Sequence, residues 1–300
     1  MKITNKFNLP ETIVNFSKMD NYDAGKSNVT VTQLIDSPRV VQLRKKHYKE
    51  MEQDVGEMLW MLMGVAMHHI LEQSVAKDTV TEERLFTKLN GWVISGQIDS
   101  QIIGADGVTL GDYKTTSAWA VMNDKPDWER QLNLYSWLVR KVKGLPTKQL
   151  VIYAIIRDWA RRDLGKEGYP QAPMVVVQVP LWSEEEQDRY VEERLNLHAH
   201  ADSADLFGEE LPPCSDEERW QSETRYAVKK EGNKRATFVA ATKEEATDYI
   251  RTADDSSIRP SKKEWVIEER KGEPKRCTNN YCRCAPFCEQ FINEVKDEAV

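Results

Sequence analysis

Cysteine is absent from the first 213 residues of this 300-residue chain, and four of its five cysteines fall between 277 and 288. The opening stretch, MKITNKFNLPETIVNF, lacks the unbroken apolar run of a secretory leader. Nowhere does the chain approach the ~18 consecutive apolar residues of a membrane-spanning helix. These absences predict a cytoplasmic protein, where reducing conditions disfavour disulfides. Positive charge is not in excess either: 42 Lys and Arg against 49 Asp and Glu give a net charge of -7. As a whole the molecule does not look like a general nucleic-acid binder, although a local basic groove can sit on an acidic protein. Internal repeats and long low-complexity segments are also missing.

What is present reads as an α/β chain. Residues 1–27 have no clear periodicity. Ser37-Pro38 looks like an N-cap followed by Pro at the first helical position, opening the basic helix RVVQLRKKHYKE. Its Arg44, Lys45 and Lys46 are candidate phosphate contacts, the alternative being a solvated helix face. A helix over 56–76 is apolar nearly all round and is expected inside the fold. Strand-like runs follow at 91–103, 107–115, 149–157 and 174–182, the first two joined at the turn GADG as a hairpin. DWERQLNLYSWLVRKVKG, between the second and third runs, is a helix ending near Gly144. Alternating strands and helices predict an α/β core over about 55–182. Ser183 and Glu186 then open a long charged helix as a capping box, and Thr242 with Glu245 repeats the pattern. The expected organisation is an N-terminal helical segment (1–54), a core domain (55–207) and a small α+β segment holding the cysteines (208–300).

Four short signals carry the chemistry: GVAMHHILE with His68, GQIDS with Asp99, GDYKT with Asp112 and Lys114, and QLNLY with Gln131 and Tyr135. Residues two apart on a strand face the same side, so Asp112 and Lys114 are aimed at one place. Asp99 and Asp112 on neighbouring hairpin strands could meet at one divalent cation, a hard ion that takes oxygen ligands and, for Mn²⁺, imidazole. Such an ion polarises a phosphoryl oxygen, and a nearby lysine stabilises developing negative charge. Singly, each signal has an ordinary structural reading: a strand ion pair, a core histidine, a packing pair on a helix. Their order and context together point to phosphodiester hydrolysis.

At these residues the chain resembles RecB-like members of the PD-(D/E)xK nuclease superfamily, including phage-encoded ones, over residues 28 to about 182. The matches are Gly64 to His68 to Glu72, Gly96 to Asp99, Asp112 to Lys114, and Gln131 to Tyr135. Ile98 stands where the superfamily name has Pro. The resemblance implies a restriction-endonuclease-like core, a central mixed β-sheet flanked by helices. It implies Mg²⁺ or Mn²⁺ on His68, Asp99, Asp112 and the backbone carbonyl of Tyr113, with Lys114 catalytic and Gln131 and Tyr135 in support. His69 competes with His68, and the H-x-x-L-E register favours His68. The implied activity is an exonuclease acting on DNA ends or single strands, in recombination, repair or replication; the alternatives are a structure-selective endonuclease on the same core and a catalytically silent DNA-binding or regulatory protein.

The cysteines are spaced C-x4-C-x-C-x3-C, a metal signal in a reducing compartment. Zinc could take Cys277, Cys282, Cys284 and Cys288. A [4Fe-4S] cluster could take Cys277, Cys282 and Cys288 with the distant Cys214. Buried thiols are the third reading. Several RecB-like nucleases resemble the second pattern, with a remote cysteine that usually precedes the core, whereas Cys214 follows it. Between 227 and 284, fourteen Lys or Arg outnumber ten Asp or Glu. Trp220, Tyr226, Trp265 and Tyr281 interleave with that charge and could stack unpaired bases or form a small core.

Overall fold

The computed structural model describes residues 1–18, 25–74, 76–123, 125–255 and 264–298. The chain divides into two compact units, Met1–Pro212 and Pro213–Val300, so residues 1–54 belong with the core.

In the first unit the strands are β1 (Lys2–Thr4), β2 (Val29–Thr30), β3 (Glu52–Asp54), β4 (Thr79–Leu89), β5 (Trp92–Gly104), β6 (Gly107–Thr116), β7 (Thr147–Ile156) and β8 (Met174–Val179). The helices are α1 (Glu11–Lys18), α2 (Val31–Ile35), α3 (Pro38–His47), α4 (Leu59–Glu72), α5 (Ala118–Met122), α6 (Pro126–Lys143) and α7 (Glu184–Phe207). A mixed six-stranded sheet runs β2-β5-β6-β7-β8, with β4 pairing β5. β6 and β7 are parallel because α6 crosses between them, as a parallel connection requires. β4, β5 and β6 form an antiparallel meander. This central mixed sheet flanked by helices is the fold class expected from the sequence.

α6 supplies the largest single share of the core. Leu132, Leu134, Leu138 and Val139 are fully buried against Ile94, Ile98, Leu110, Leu150 and Ile152 of the sheet. Gly96 lets β5 approach it closely. A Cβ there would lie 2.7 Å from Leu138 Cδ1 and 2.9 Å from Tyr135 Cε1. α6 ends at Gly144, whose φ of +66° is the left-handed C-terminal cap. α7 opens with the Ser183–Glu186 capping box and grips α2: Arg194 Nε donates to Leu34 O at 2.9 Å, beside buried His198.

Several local expectations need correction. Residues 1–27 are not irregular throughout, since β1 pairs β3 in parallel and α1 follows. Ser37 is the N-cap of α3 and Pro38 its first residue, as expected, without a side-chain cap on the helix. α4 is shorter than 56–76 and does not lie inside the fold. Leu59, Trp60, Met61, Met63, Val65 and Ile70 are all exposed. Strand β4 is an addition to the expected strands, since TVTEERLFTKL has no clean period-two pattern.

The second unit contains α8 (Asp216–Arg219), β9 (Arg225–Lys230), β10 (Phe238–Ala240), α9 (Lys243–Asp255), β11 (Trp265–Arg270), α10 (Lys275–Thr278) and α11 (Glu289–Glu298). An antiparallel sheet ordered β10-β9-β11 packs on α9 through Val228, Ala240 and Ala246. Thr242 accepts from Glu245 N at 3.1 Å and Glu245 accepts from Ala241 N, a cap at the start of α9. Tyr226 and Trp265 pack on this small core, whereas Trp220 and Tyr281 are exposed and touch each other. No helix among the described residues is long and apolar enough to cross a membrane.

Candidate active site

The β5–β6 hairpin opens where its two aspartates meet. The ladder's last pair is Ser100 with Gly111, and continuing the register puts Asp99 opposite Asp112. Beyond that pair the Tyr113 N–H donates to Asp99 Oδ2 at 2.8 Å, a side chain taking the place of a strand carbonyl. Both carboxylates are buried, Asp99 at 7% and Asp112 at 2% exposure. Strand alternation separates the neighbours of Asp112. Lys114 Nζ lies 2.7 Å from Asp112 Oδ2 and donates to Gln131 Oε1 at 3.0 Å. Gln131 Nε2 in turn donates to Asp112 Oδ1 at 3.0 Å and to the Tyr135 hydroxyl at 2.8 Å. Gln131, four residues from Tyr135 on α6, thus holds acid and lysine in one arrangement. Tyr113 projects from the other face, stacked on Tyr153 at 5.0 Å and edge-on to His68 at 6.1 Å. A Cβ at Gly111 would overlap the Tyr153 ring, so glycine makes room for that stack.

Sequence reasoning missed Glu82. β4 pairs Thr81 with Ser100 and Glu83 with Ile98, so Glu82 faces Asp99 across the strands. Its φ is +50°, unusual for a residue with a side chain inside a strand, and the ladder skips this position. His68 Nδ1 lies 3.0 Å from Glu82 Oε1 and 3.7 Å from Asp99 Oδ2. Gln97 Nε2 donates to Glu82 Oε2 at 2.6 Å, and Arg84 donates to Gln97 Oε1 at 2.8 Å. The adjacent Glu83 instead pairs with Lys143 and accepts from Gln101. Nothing in the pair Glu82-Glu83 marks which one turns inward, because that depends on register.

The electrostatics are those of a cation site. Burial first, then repulsion from Asp112, pushes the Asp99 carboxyl up to about 7, although His68 pulls it down. The hydrogen bond to Glu82 raises His68, burial opposes this, and Asp99 and Asp112 add to the rise. One ligand atom each from His68, Glu82 and Asp99 lies within 4.8 Å of the others. Asp112 Oδ2 is buried and held by its ion pair with the Lys114 ammonium at 2.7 Å. An imidazole and two carboxylates with ligand atoms this close, beside a third carboxylate on Asp112, fit a hard divalent cation such as Mg²⁺ or Mn²⁺.

The other candidate residues are placed less uniformly. His69 faces along α4 to Gln73, at 3.1 Å, while His68 faces the carboxylates. The Glu72 side chain lies outside the described residues. Arg44, Lys45 and Lys46 pair with Asp36, Asp202 and Asp205 at 3.3, 3.6 and 3.5 Å. In the second unit Cys282, Cys284 and Cys288 are buried, and Cys214 and Cys277 half-buried. Burial and the neighbouring Cys282 push the Cys277 thiol up, Arg219 opposes this, and Cys288 adds a smaller rise. Cys214 is tied by its backbone to Gln290, two residues past Cys288: its N–H donates to Oε1 at 2.8 Å and its carbonyl accepts from Nε2 at 3.1 Å. The thiols of Cys282 and Cys288 thus lie near enough to act on Cys277, and Gln290 ties the Cys214 backbone to the helix α11 that follows Cys288. Among the described residues, no three sulfurs come within the 4.8 Å reached at His68.

No curated protein matches the chain. Among solved structures it is similar to SSO0001, at 16% identity and a TM-score of 0.40, over 62% of this chain and 83% of that one. It is also similar to a provisionally named exonuclease from Eubacterium rectale, at 15% identity and a TM-score of 0.30, over 59% and 65%. Likenesses at these scores carry no argument, and the assignment rests on the family profile. The profile of the PD-(D/E)XK nuclease superfamily matches residues 35–289, a span that contains every residue of the opened hairpin and the helices around it. The chain belongs to the PD-(D/E)XK nuclease superfamily.

Proposed function

We propose that the chain is a divalent-metal-dependent deoxyribonuclease of RecB-like, phage type. It acts as an exonuclease, hydrolysing phosphodiester bonds from DNA ends or single strands during recombination, repair or replication. The observation that carries this is the opened hairpin, where the ladder ends before Asp99 and Asp112, Lys114 is paired with Asp112, and His68, Glu82 and Asp99 bring ligand atoms within 4.8 Å of one another.

His68, Asp99, Asp112 and the Tyr113 carbonyl would hold Mg²⁺ or Mn²⁺, with Glu82 as a further ligand. When bound there, the ion supplies Lewis acidity toward a phosphoryl oxygen and acidifies a water. Lys114 presents its ammonium to the negative charge that develops on the phosphate. Gln131 keeps that ammonium beside Asp112, and Tyr135 fixes Gln131 from the next turn of α6. Tyr113, through its N–H, keeps the Asp99 carboxylate turned into the opening.

End-labelled linear DNA with Mg²⁺ or Mn²⁺ tests the reading. Wild type should release nucleotides, and Lys114→Ala should not. Cutting of closed circles would identify an endonuclease instead. Equal inertness of both proteins on linear single- and double-stranded DNA would sink the enzyme claim in favour of a silent DNA-binding protein.

For the cysteines, the reading is a [4Fe-4S] cluster on Cys214, Cys277, Cys282 and Cys288, with Cys284 as a spare thiol. The tether of Cys214 to Gln290 supports it. Protein purified without oxygen should be brown, and Cys277→Ser colourless. A colourless protein with one zinc per chain would replace the cluster by Zn²⁺.

A further inference from the structure

An apolar helix beside a charged site is an unusual use of exposed surface. α4 brings His68 to the carboxylates, yet its Trp60 is 44% exposed. The guanidinium of Arg157 lies 4.8 Å from the centroid of that ring. Arg157 begins the segment after β7, and its N–H donates to Thr116 O at the end of β6. The next residue, Asp158, accepts the Ala118 N–H at 2.7 Å and so fixes the start of α5. Trp119 follows, 62% exposed, with Lys125 Nζ 4.5 Å from its ring centroid. Two tryptophans, each with a cation on one face, therefore flank residues 157–158.

Their distance from the site follows from element geometry. Trp60 precedes His68 by two turns of helix, about 12 Å. Thr116, where Arg157 is joined, is two strand residues past Lys114, about 7 Å. Gly64 lies between Trp60 and His68, and a Cβ there would meet nothing within 4 Å. Open space over a helical glycine leaves room for a bulky chain to pass close to the backbone.

We propose that Trp60–Arg157 and Trp119–Lys125 form a platform for the unpaired bases of single-stranded DNA, with the strand passing Gly64 toward Lys114. Aromatic faces stack on any base, and the paired cations meet the phosphates between them. Duplex DNA keeps its bases stacked on one another and cannot use the rings in this way. The platform therefore selects single strands, or frayed ends, for the proposed nuclease, and rests on that reading only for its purpose.

Fluorescence anisotropy of a labelled single-stranded oligonucleotide, against a blunt duplex of equal length, tests it in the full-length Lys114→Ala protein. Stacking is worth about 1–3 kcal/mol per base, so Trp60→Ala and Trp119→Ala should each weaken single-strand binding about 5-fold to 150-fold. Duplex binding should change less than about 2-fold, and Trp60→Phe should retain most single-strand affinity. Arg157→Gln and Lys125→Gln should each lower the salt slope by about 0.7, the value for one phosphate contact on a single strand. Unchanged single-strand affinity, or equal losses on both substrates, overturns the proposal. So does a dimer that Trp60→Ala splits without altering DNA binding, because α4 would then be a contact between copies. Absence of cleavage by wild type, with tryptophan-dependent binding intact, would instead count against the nuclease reading alone.

Discussion

Asp99→Asn should stabilise the metal-free protein while destroying its response to metal. Asp99 is buried opposite Asp112, and its carboxyl rises from 3.8 to about 7. A shift of about three units corresponds to about 4 kcal/mol against the ionised form at pH 8. The sign follows from proton binding. Between about pH 4 and 7 the folded state holds this proton more tightly than the unfolded state, so folding loses stability as pH rises. Above about pH 7 the loss is complete, and near pH 4 it nearly vanishes. Asparagine keeps an oxygen for the Tyr113 N–H but carries no charge. Urea unfolding in EDTA should show the variant more stable than wild type at pH 8, by about 2–4 kcal/mol, with the gap closing toward pH 4. Millimolar Mn²⁺ should stabilise wild type and leave the variant unmoved, since a site ligand is gone. Parallel pH profiles for the two proteins, or equal stabilisation by Mn²⁺, would refute the account of an opened, repulsive pair awaiting a cation.

The remaining predictions use other parts of the fold. Glu82→Gln should weaken Mn²⁺ binding and slow hydrolysis, whereas Glu83→Gln should cost stability alone, because Glu83 pairs with Lys143; calorimetric metal titration separates them. Gly111→Ala forces a methyl into the Tyr153 ring and should cost about 1–3 kcal/mol in urea unfolding, with hydrolysis reduced as Tyr113 is displaced. Burial and the charge of Arg194 hold His198 down at about 4, so the unfolded state takes up its proton first as pH falls. In the Asp99→Asn background, stability should drop by about 2 kcal/mol between pH 8 and pH 5, and His198→Gln should remove that drop.

The site was legible in sequence wherever chemistry and local spacing coincide. Asp112 and Lys114 two apart on a strand, and Gln131 and Tyr135 four apart on a helix, meet because strand and helix periods bring such residues to one side. The turn GADG and the cap at Gly144 likewise marked the hairpin and the end of α6, since only certain residues suit those backbone angles. Glu82 was not legible. It enters through a cross-strand register and a left-handed backbone angle, both decided by the whole sheet. The partners of the basic helix were not legible either: Lys45 and Lys46 pair with acids on α7, about 160 residues away, which no local pattern records.

By itself, then, the sequence determined the order of elements, the hairpin, the acid–lysine strand and the glutamine helix, all of which depend on neighbours within a few turns. Tertiary structure alone decided that the hairpin opens at Asp99 and Asp112, that Glu82 joins them, and that apolar α4 stays exposed beside the site. Those outcomes depend on which strand lies next to which, and on whether the fold has a surface left to cover a helix. The burial of one element against another is a property of the assembled chain, not of any segment.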